Sequence, residues 1–550
     1  MSKRYHSLLL LALSTTVPAV AQQYRYQDTL FEKEKYAAAC PDYRTYSMYG
    51  HPPYSQGPLK LPFQRPAKPC RTFESDLVEE VIEYMNANLV DKDLARIFEN
   101  AFPNTLDTTV RWHVDASEDL VPDSGKWRKM NKGLEGDAPW TGPQSFIVTG
   151  DINAEWLRDS TNQLAQYQTL AKRDKRIEKL ILGAINTQAE YVIESPYCNA
   201  FQPPPPSGLG PTSNGQTDQV HPAYEPSFVF ECKYELDSLA AFLSLSNQFF
   251  ESTGNDQFLT SRWFTALETI LETLDAQSKA TFDKETGDLH RNVYTFTRET
   301  RAGTETLSLN GQGNPLNSGT GLIRSAFRPS DDATILGFFI PANAMMAVEL
   351  QRTGEMLKRA GFAGAGRQLG IRGKNLEDAV WEHGVVTHKK YGKVFAYEVD
   401  GYGSHVLMDD ANLPSLLSLP LLGFTKKDNE IYQNTRKMIL SLDGNPYYLT
   451  GKDFKGIGGP HIGLSNAWPM SVLVQAMTSD DNEEIMDCLN RVKNVSILGL
   501  INESVNVNAK KDYTRSWFAW ANSVFAQTIL DLAKRKPDLL FGDGKDAYII

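Results

Sequence analysis

The chain has 550 residues, of which 67 are Asp or Glu and 56 are Lys or Arg, giving a formal net charge of -11. That balance speaks against nucleic-acid binding, because phosphate affinity needs a basic surface. A hydrophobic fraction of 41% with 11% aromatics suits a large core and excludes a disordered chain, and size alone suggests two or more domains of roughly 100 to 200 residues, a prior that barrels exceed.

At the N-terminus, Lys3 and Arg4 precede an apolar stretch from Ser7 to Val20 that closes on Ala19-Val20-Ala21. This is the pattern of a cleaved secretory signal over 1–21. A membrane anchor normally needs about 20 apolar residues and fewer helix breakers than Ser14 to Pro18 supplies. No later stretch is apolar enough to span a bilayer. The expected product is therefore soluble, without membrane insertion, and secreted or held in the secretory pathway or cell wall.

Five cysteines follow, and an oxidising compartment favours pairing four of them. Cys40 with Cys70 would staple the arm at 22–70, and Cys198 with Cys232 would close a Pro-rich loop, leaving Cys488 as a lone buried thiol. No zinc-finger spacing occurs, so no structural metal is expected. Asn494 and Asn502 both begin glycosylation sequons, with Asn494 the better candidate.

From Arg71 onward the periodicity is helical. Leu77, Val78, Val81, Ile82, Met85 and Leu89 form one apolar stripe, and Ile177, Leu180, Ile181, Ala184, Ile185, Tyr191 and Val192 another. Further helices are expected at about 155–172, 234–252, 257–278, 331–360, 374–384, 411–422, 428–441, 465–477, 481–492 and 513–535. Convincing strands are few: 145–148, 292–296 and 393–399. Nothing alternates strand with helix as in a doubly wound sheet. Two long loops, 201–226 and 303–321, interrupt the pattern without marking a domain boundary, and loops of that length in a compact domain are usually functional or disordered. The reading is one catalytic domain, 71–550, behind the arm.

The residues that could carry chemistry are acidic pairs at expected helix starts: Arg158-Asp159, Glu235 with Asp237, Asp331-Asp332 and Asp409-Asp410. A cap explains any one of them. Their surroundings, rich in Trp, Tyr, Arg and Gly, suit a sugar site better, with carboxylates for hydroxyls and aromatic faces for C–H surfaces. A glycosidase needs two carboxyl groups in different environments. In Tyr397-Glu-Val-Asp400 an extended backbone sends Glu398 and Asp400 to one side, making Glu398 a base or nucleophile candidate. Taken alone, His461 reads as a loop-packing histidine, Trp517 and Trp520 as core, and the Asp pairs as conceivable hard-metal ligands lacking any supporting spacing.

Seven strings, among them Asp151 to Ser160, Lys233 to Leu239, Phe327 to Asp332, Ala396 to Gly401, Leu407 to Pro420, Gly456 to His461 and Thr514 to Asn522, closely resemble glycoside hydrolase family 125 in consistent order from about 70 to 540. The chain looks most like the family's secreted fungal branch, the meiotically up-regulated type. The resemblance implies an all-α (α/α)6 toroid and an inverting, metal-independent exo-α-1,6-mannosidase without cofactor, acting on a mannose-containing glycan. It implies Asp237 as general acid and Glu398 as general base. Trp156, Arg158, Asp159, Glu235, Arg328, Asp331, Asp332, Tyr397, Asp409, Asp410, His461, Glu503 and Asn522 would hold the terminal mannose. The chain departs from the family's pattern at Cys232 and Asn502, where Arg and His are frequent. The competing expectations are a sugar-binding protein that lost its chemistry, a toroid glycosidase of other specificity, and a calcium-dependent α-mannosidase.

Overall fold

The computed structural model of the protein describes residues 40–115 and 140–550. The expected signal at 1–21 and residues 22–39 of the arm lie outside that range. The domain is an (α/α)6 toroid. Its inner ring contains the helices Leu157–Ala165, Leu236–Thr253, Ile340–Arg359, Pro469–Met477 and Ala519–Arg535. Around them lie Lys175–Glu194, Ser261–Gln277, Ala363–His383, Glu430–Ile439 and Asn482–Val495.

The two layers differ at their starts. Four outer helices carry side-chain caps, from Asp174, Thr260, Asn429 and Asp481; three of them bury one face, while Lys175–Glu194 is buried almost all round from Leu180 to Val192. The five inner helices have no side-chain cap, and Leu236 to Asn247 is buried at every position. An acid at an inner start is therefore not serving its own helix end. Hydroxyl- and carboxylate-bearing residues gather there because short antiparallel sheets clip the incoming loops to those starts. Glu155–Trp156 pairs with Ala200–Phe201, Phe338–Phe339 with Glu398–Val399, and Asn466–Ala467 with Ser504–Asn506.

The sixth inner place departs from expectation. Residues 411–422, expected as a helix, are a run of turns, because Pro414 and Pro420 supply no N–H and crowd the preceding turn. Asp409 takes over the ordering by accepting from Leu416 and Leu417 N–H at 2.8 and 3.0 Å. Gly423 lies against Val348 of one neighbouring inner helix, and Ala411 N–H bonds Gly458 O before the next. The helix expected from 331 begins only at Ile340. Asp331 instead sits in a turn with φ +68°, so neither Asp331-Asp332 nor Asp409-Asp410 opens a helix. The strand expected at 393–399 is two, Gly392–Phe395 and Glu398–Val399, and that at 292–296 runs Thr295–Arg298.

Both disulfides form, Cys40–Cys70 and Cys198–Cys232, and Cys488 is a buried free thiol. The arm from 40 to 70 is docked through polar contacts. Arg65 bonds Asp107 and Glu79 at 2.8 and 2.6 Å, and Gln64 N–H donates to Asn100 at 2.9 Å. Asn494 is exposed at the end of its helix, whereas Asn502 is buried with its amide donating to Arg515 O at 2.7 Å. Among the described residues no helix is long and apolar enough to cross a membrane.

Candidate active site

At the end of the toroid where the inner helices start, a narrow cleft is lined by Trp156, Arg158, Asp159, Asp331, His461 and Glu503 from the expected set. Trp468, Phe518 and Trp520 add aromatic wall, and Arg515, Asn412 and Ser330 add polar groups. Trp520, read from sequence as core, is buried in the hydrophobic core, and it also borders the cleft with its ring against the Arg158 guanidinium at 5.1 Å. Trp517, also read as core, is buried.

Arg158 is the hub. Its Nη1 donates to Glu235 at 2.5 Å and to Asp237 at 3.0 Å, and its Nη2 lies 3.2 Å from Asp159. Asn199 Nδ2 donates to both Glu235 and Asp331, at 3.3 and 3.1 Å. Four carboxylates thus share one guanidinium and one amide. Burial pushes Asp159 up to about 7 against the pull of Arg158, with Asp331 and Asp237 adding to the rise. Burial likewise raises Glu235 and Asp237. Asp331 is held low despite its burial, by Lys233, Arg158 and His461. Like charges crowded in a dry site cannot all ionise, and burial favours the protonated form at Asp159, Glu235 and Asp237.

On the facing wall Glu503 accepts from Arg515 Nε at 3.1 Å, and Arg515 also pairs with Asp151. Arg515 adopts φ +53°. His461, its side chain 31% exposed, lies 3.8 Å from Asp332. Burial lowers its pKa, but Asp332, Asp331 and Glu503 outweigh that and bring it to about 9. Gly459 lets its loop approach Asp410, since a Cβ there would lie 3.1 Å from the carboxylate.

The other expected residues stand behind the cleft. Asp237 does not line it and accepts from Arg158, which does. Glu398 does not line it either, and both its oxygens are engaged: Oε1 by Arg328 at 2.6 Å, Oε2 by Ile335 and Leu336 N–H at 2.9 and 3.0 Å. Asp400 closes a turn onto Tyr402 and Ser404 N–H. Tyr397 lies under the Arg328 guanidinium at 5.1 Å. Asp410 bonds Asn412, and Asn522 accepts from Ile501 N–H at 3.1 Å. These six carry the walls. Sequence reading missed Asn199, Trp468 and Arg515. The last stands in the quoted Thr514-Arg515 string, where only its left-handed backbone would have singled it out.

Several cleft atoms are buried with no protein partner among the described residues: Nε1 of Trp156, Trp468 and Trp520, and Nε of Arg158. Unpartnered donors set in aromatic walls suit a ligand rich in hydroxyls. Among the described residues no three His, Cys, Asp or Glu side chains are arranged to hold a metal ion.

A family described as metal-independent alpha-mannosidase, GH125, matches residues 91–530. The meiotically up-regulated gene 157 protein of Schizosaccharomyces pombe is 55% identical over 503 residues, covering 91% of this chain and 94% of its own. A solved Streptococcus pneumoniae structure, from a family of metal-independent alpha mannosidases and in a non-productive complex with alpha-1,6-mannobiose, superposes with a TM-score of 0.71. It is 29% identical, over 84% of this chain and 99% of its own.

Proposed function

The chain belongs to the metal-independent α-mannosidases of family GH125, and we propose that it removes a terminal α-1,6-linked mannose from the non-reducing end of a glycan with inversion. The linkage is supported by the disaccharide held by the Streptococcus pneumoniae relative. An exo mode is supported by a narrow cleft backed by Arg158 and its carboxylates.

The observation that carries the chemistry is which carboxylates line the cleft. Of those expected, Asp159, Asp331 and Glu503 do so, whereas Asp237 and Glu398 do not. A general base must turn a free lone pair toward water, and Glu398 has three donors on its two oxygens. Among the described residues Glu503 is bonded only by Arg515, through Oε1, leaving Oε2 for a water. Our reading therefore moves the chemistry to Asp331 as general acid and Glu503 as general base. Asp331, ionised at rest, first takes up the proton that burial keeps on the neighbouring Glu235 cluster and delivers it to the departing oxygen, while Glu503 takes a proton from the water that attacks the opposite face and releases it to solvent as the cluster is reprotonated. Asp159 and Arg158 grip hydroxyls, and Trp156 and Trp520 cover the sugar's C–H surfaces. Asp237 and Glu398 hold Arg158 and Arg328 in place.

Proton NMR during early turnover of α-1,6-mannobiose tests the reading. The β-anomer is expected first, and initial release of the α-anomer sinks the inverting assignment. A panel of mannobioses with and without EDTA tests linkage; hydrolysis that needs calcium, or that prefers another linkage, overturns the proposal.

A further inference from the structure

Arg515, which holds the proposed base, has a left-handed backbone between the strand Ala509–Thr514 and Ser516. Such a conformation persists only where its surroundings fix it. From the catalytic domain, Asn502 holds the Arg515 carbonyl and Asp151 holds its side chain. Phe518 lies under the Arg515 guanidinium and Ser504 bonds Thr514, and the arm adds contacts to the two residues that follow. Ser47 Oγ lies 2.6 Å from Ser516 Oγ, and the Tyr43 ring meets Trp517 edge-on at 4.9 Å. Ser47 is fully buried, and Tyr43 is anchored by its hydroxyl to Gln64 O at 2.8 Å. Trp517 in turn lies against Gly150, where a Cβ would come within 3.2 Å of its ring. Gly150 leads into Asp151, the second partner of Arg515. A circuit therefore closes from Tyr43 and Ser47 through Ser516, Trp517, Gly150 and Asp151 to Arg515 and Glu503. The arm lies ahead of residues 91–530, the part matched by the family.

We propose that Tyr43 and Ser47 are positioning residues for the reaction: the arm, clipped by Cys40–Cys70, fixes the Arg515–Glu503 pair from behind the cleft. This rests on Glu503 as the base. Neither residue touches substrate, so loosening them slows turnover while substrate binding is kept.

The test is steady-state kinetics of the full chain on α-1,6-mannobiose, with thermal melts beside it. The double variant Tyr43→Ala/Ser47→Ala is expected to lose roughly tenfold in kcat, the scale of a small misplacement, with KM changed less than about twofold. Tyr43→Phe, which keeps the ring, restores kcat. In an Arg515→Lys background the double variant has little further effect, because residues acting through one another are not additive. Parent kcat in the arm variant, a loss that falls on KM, or fully additive losses with Arg515→Lys overturns the proposal. Ser47→Ala alone gives the same readout if the double variant folds poorly. Glu503→Gln separates the two readings. If it keeps its rate, the base assignment fails and the arm's role fails with it. If it is inactive while the arm variant turns over normally, the arm proposal alone fails.

Discussion

Arg328 Nε donates to Glu398 Oε1 over 2.6 Å with both side chains almost fully buried, a pairing that binds Glu398 to the wall and withholds it from the cleft. The proposed roles separate in three variants. Asp331→Asn and Glu503→Gln are expected to lose about 10³-fold or more in kcat, within the span of general acid and base effects, with melting temperatures close to the parent. Asn tolerates the left-handed backbone at Asp331, which makes it a cleaner replacement than Ala. Glu398→Gln leaves Arg328 without its counter-charge, so its main effect is lost stability of ~3 kcal/mol, read by denaturant unfolding. A stable but inactive Glu398→Gln returns the base role to Glu398.

Asp159 trades stability for binding. Its carboxyl is raised to about 7 by burial, above its unfolded value, so the folded state is penalised once the group must ionise. The penalty is absent below about pH 4, grows as pH rises to about 7 and is complete above that. Asp159→Asn should therefore melt higher than the parent at pH 8, with a smaller difference at pH 4, while kcat/KM falls. Equal gains at both pH values would place the effect elsewhere.

His461 works with the opposite sign. Its folded pKa of about 9 lies above the unfolded value, through Asp332, Asp331 and Glu503. The stability it contributes is fully present below about pH 6.5 and disappears as pH rises through about 9. His461→Asn should flatten that part of the parent's melting profile. A parent profile already flat between pH 6.5 and 9 would contradict this.

The Cys198–Cys232 bridge flanks Asn199 and Lys233, and Lys233 N–H bonds Asn199 Oδ1 at 3.0 Å. Replacing both cysteines by Ser should destabilise by about 2–4 kcal/mol. It should also lower kcat at temperatures where the protein remains folded, because Asn199 holds both Glu235 and Asp331. A stability loss with kcat unchanged would make the bridge purely structural.

The helices were legible because the outer ones leave a 3.6-residue signal, whereas the toroid itself was an implication of the family resemblance, whose motifs such as Trp156 to Ser160 pointed to the right end of it. The two disulfides were legible from compartment and position. The expectation that acidic pairs open helices holds for Asp159 and for Glu235 with Asp237 and fails for the other two pairs. Pro414 and Pro420 defeat it at 411–422, and Asp331 occupies a turn whose shape depends on Asp332 O accepting from Arg328 N–H. Distinguishing cleft from wall was beyond the sequence altogether. Glu398 and Glu503 look alike in one dimension, and only the donors around Glu398, supplied by residues 328, 335 and 336, tell them apart. Trp520 is core, as read, but that it also borders the cleft could not be foreseen, because its partner Arg158 lies more than 350 residues away.

The sheets that clip loops to inner helices have a consequence for biogenesis. Each joins distant stretches of chain, Glu155–Trp156 to Ala200–Phe201, Phe338–Phe339 to Glu398–Val399, and Asn466–Ala467 to Ser504–Asn506, and the cleft wall is finished only by Phe518 and Trp520. During synthesis, then, no shorter nascent chain owns a mannose pocket. The chain stays inert toward mannosides until Phe518 and Trp520 have joined the wall and the last inner stave has closed the ring.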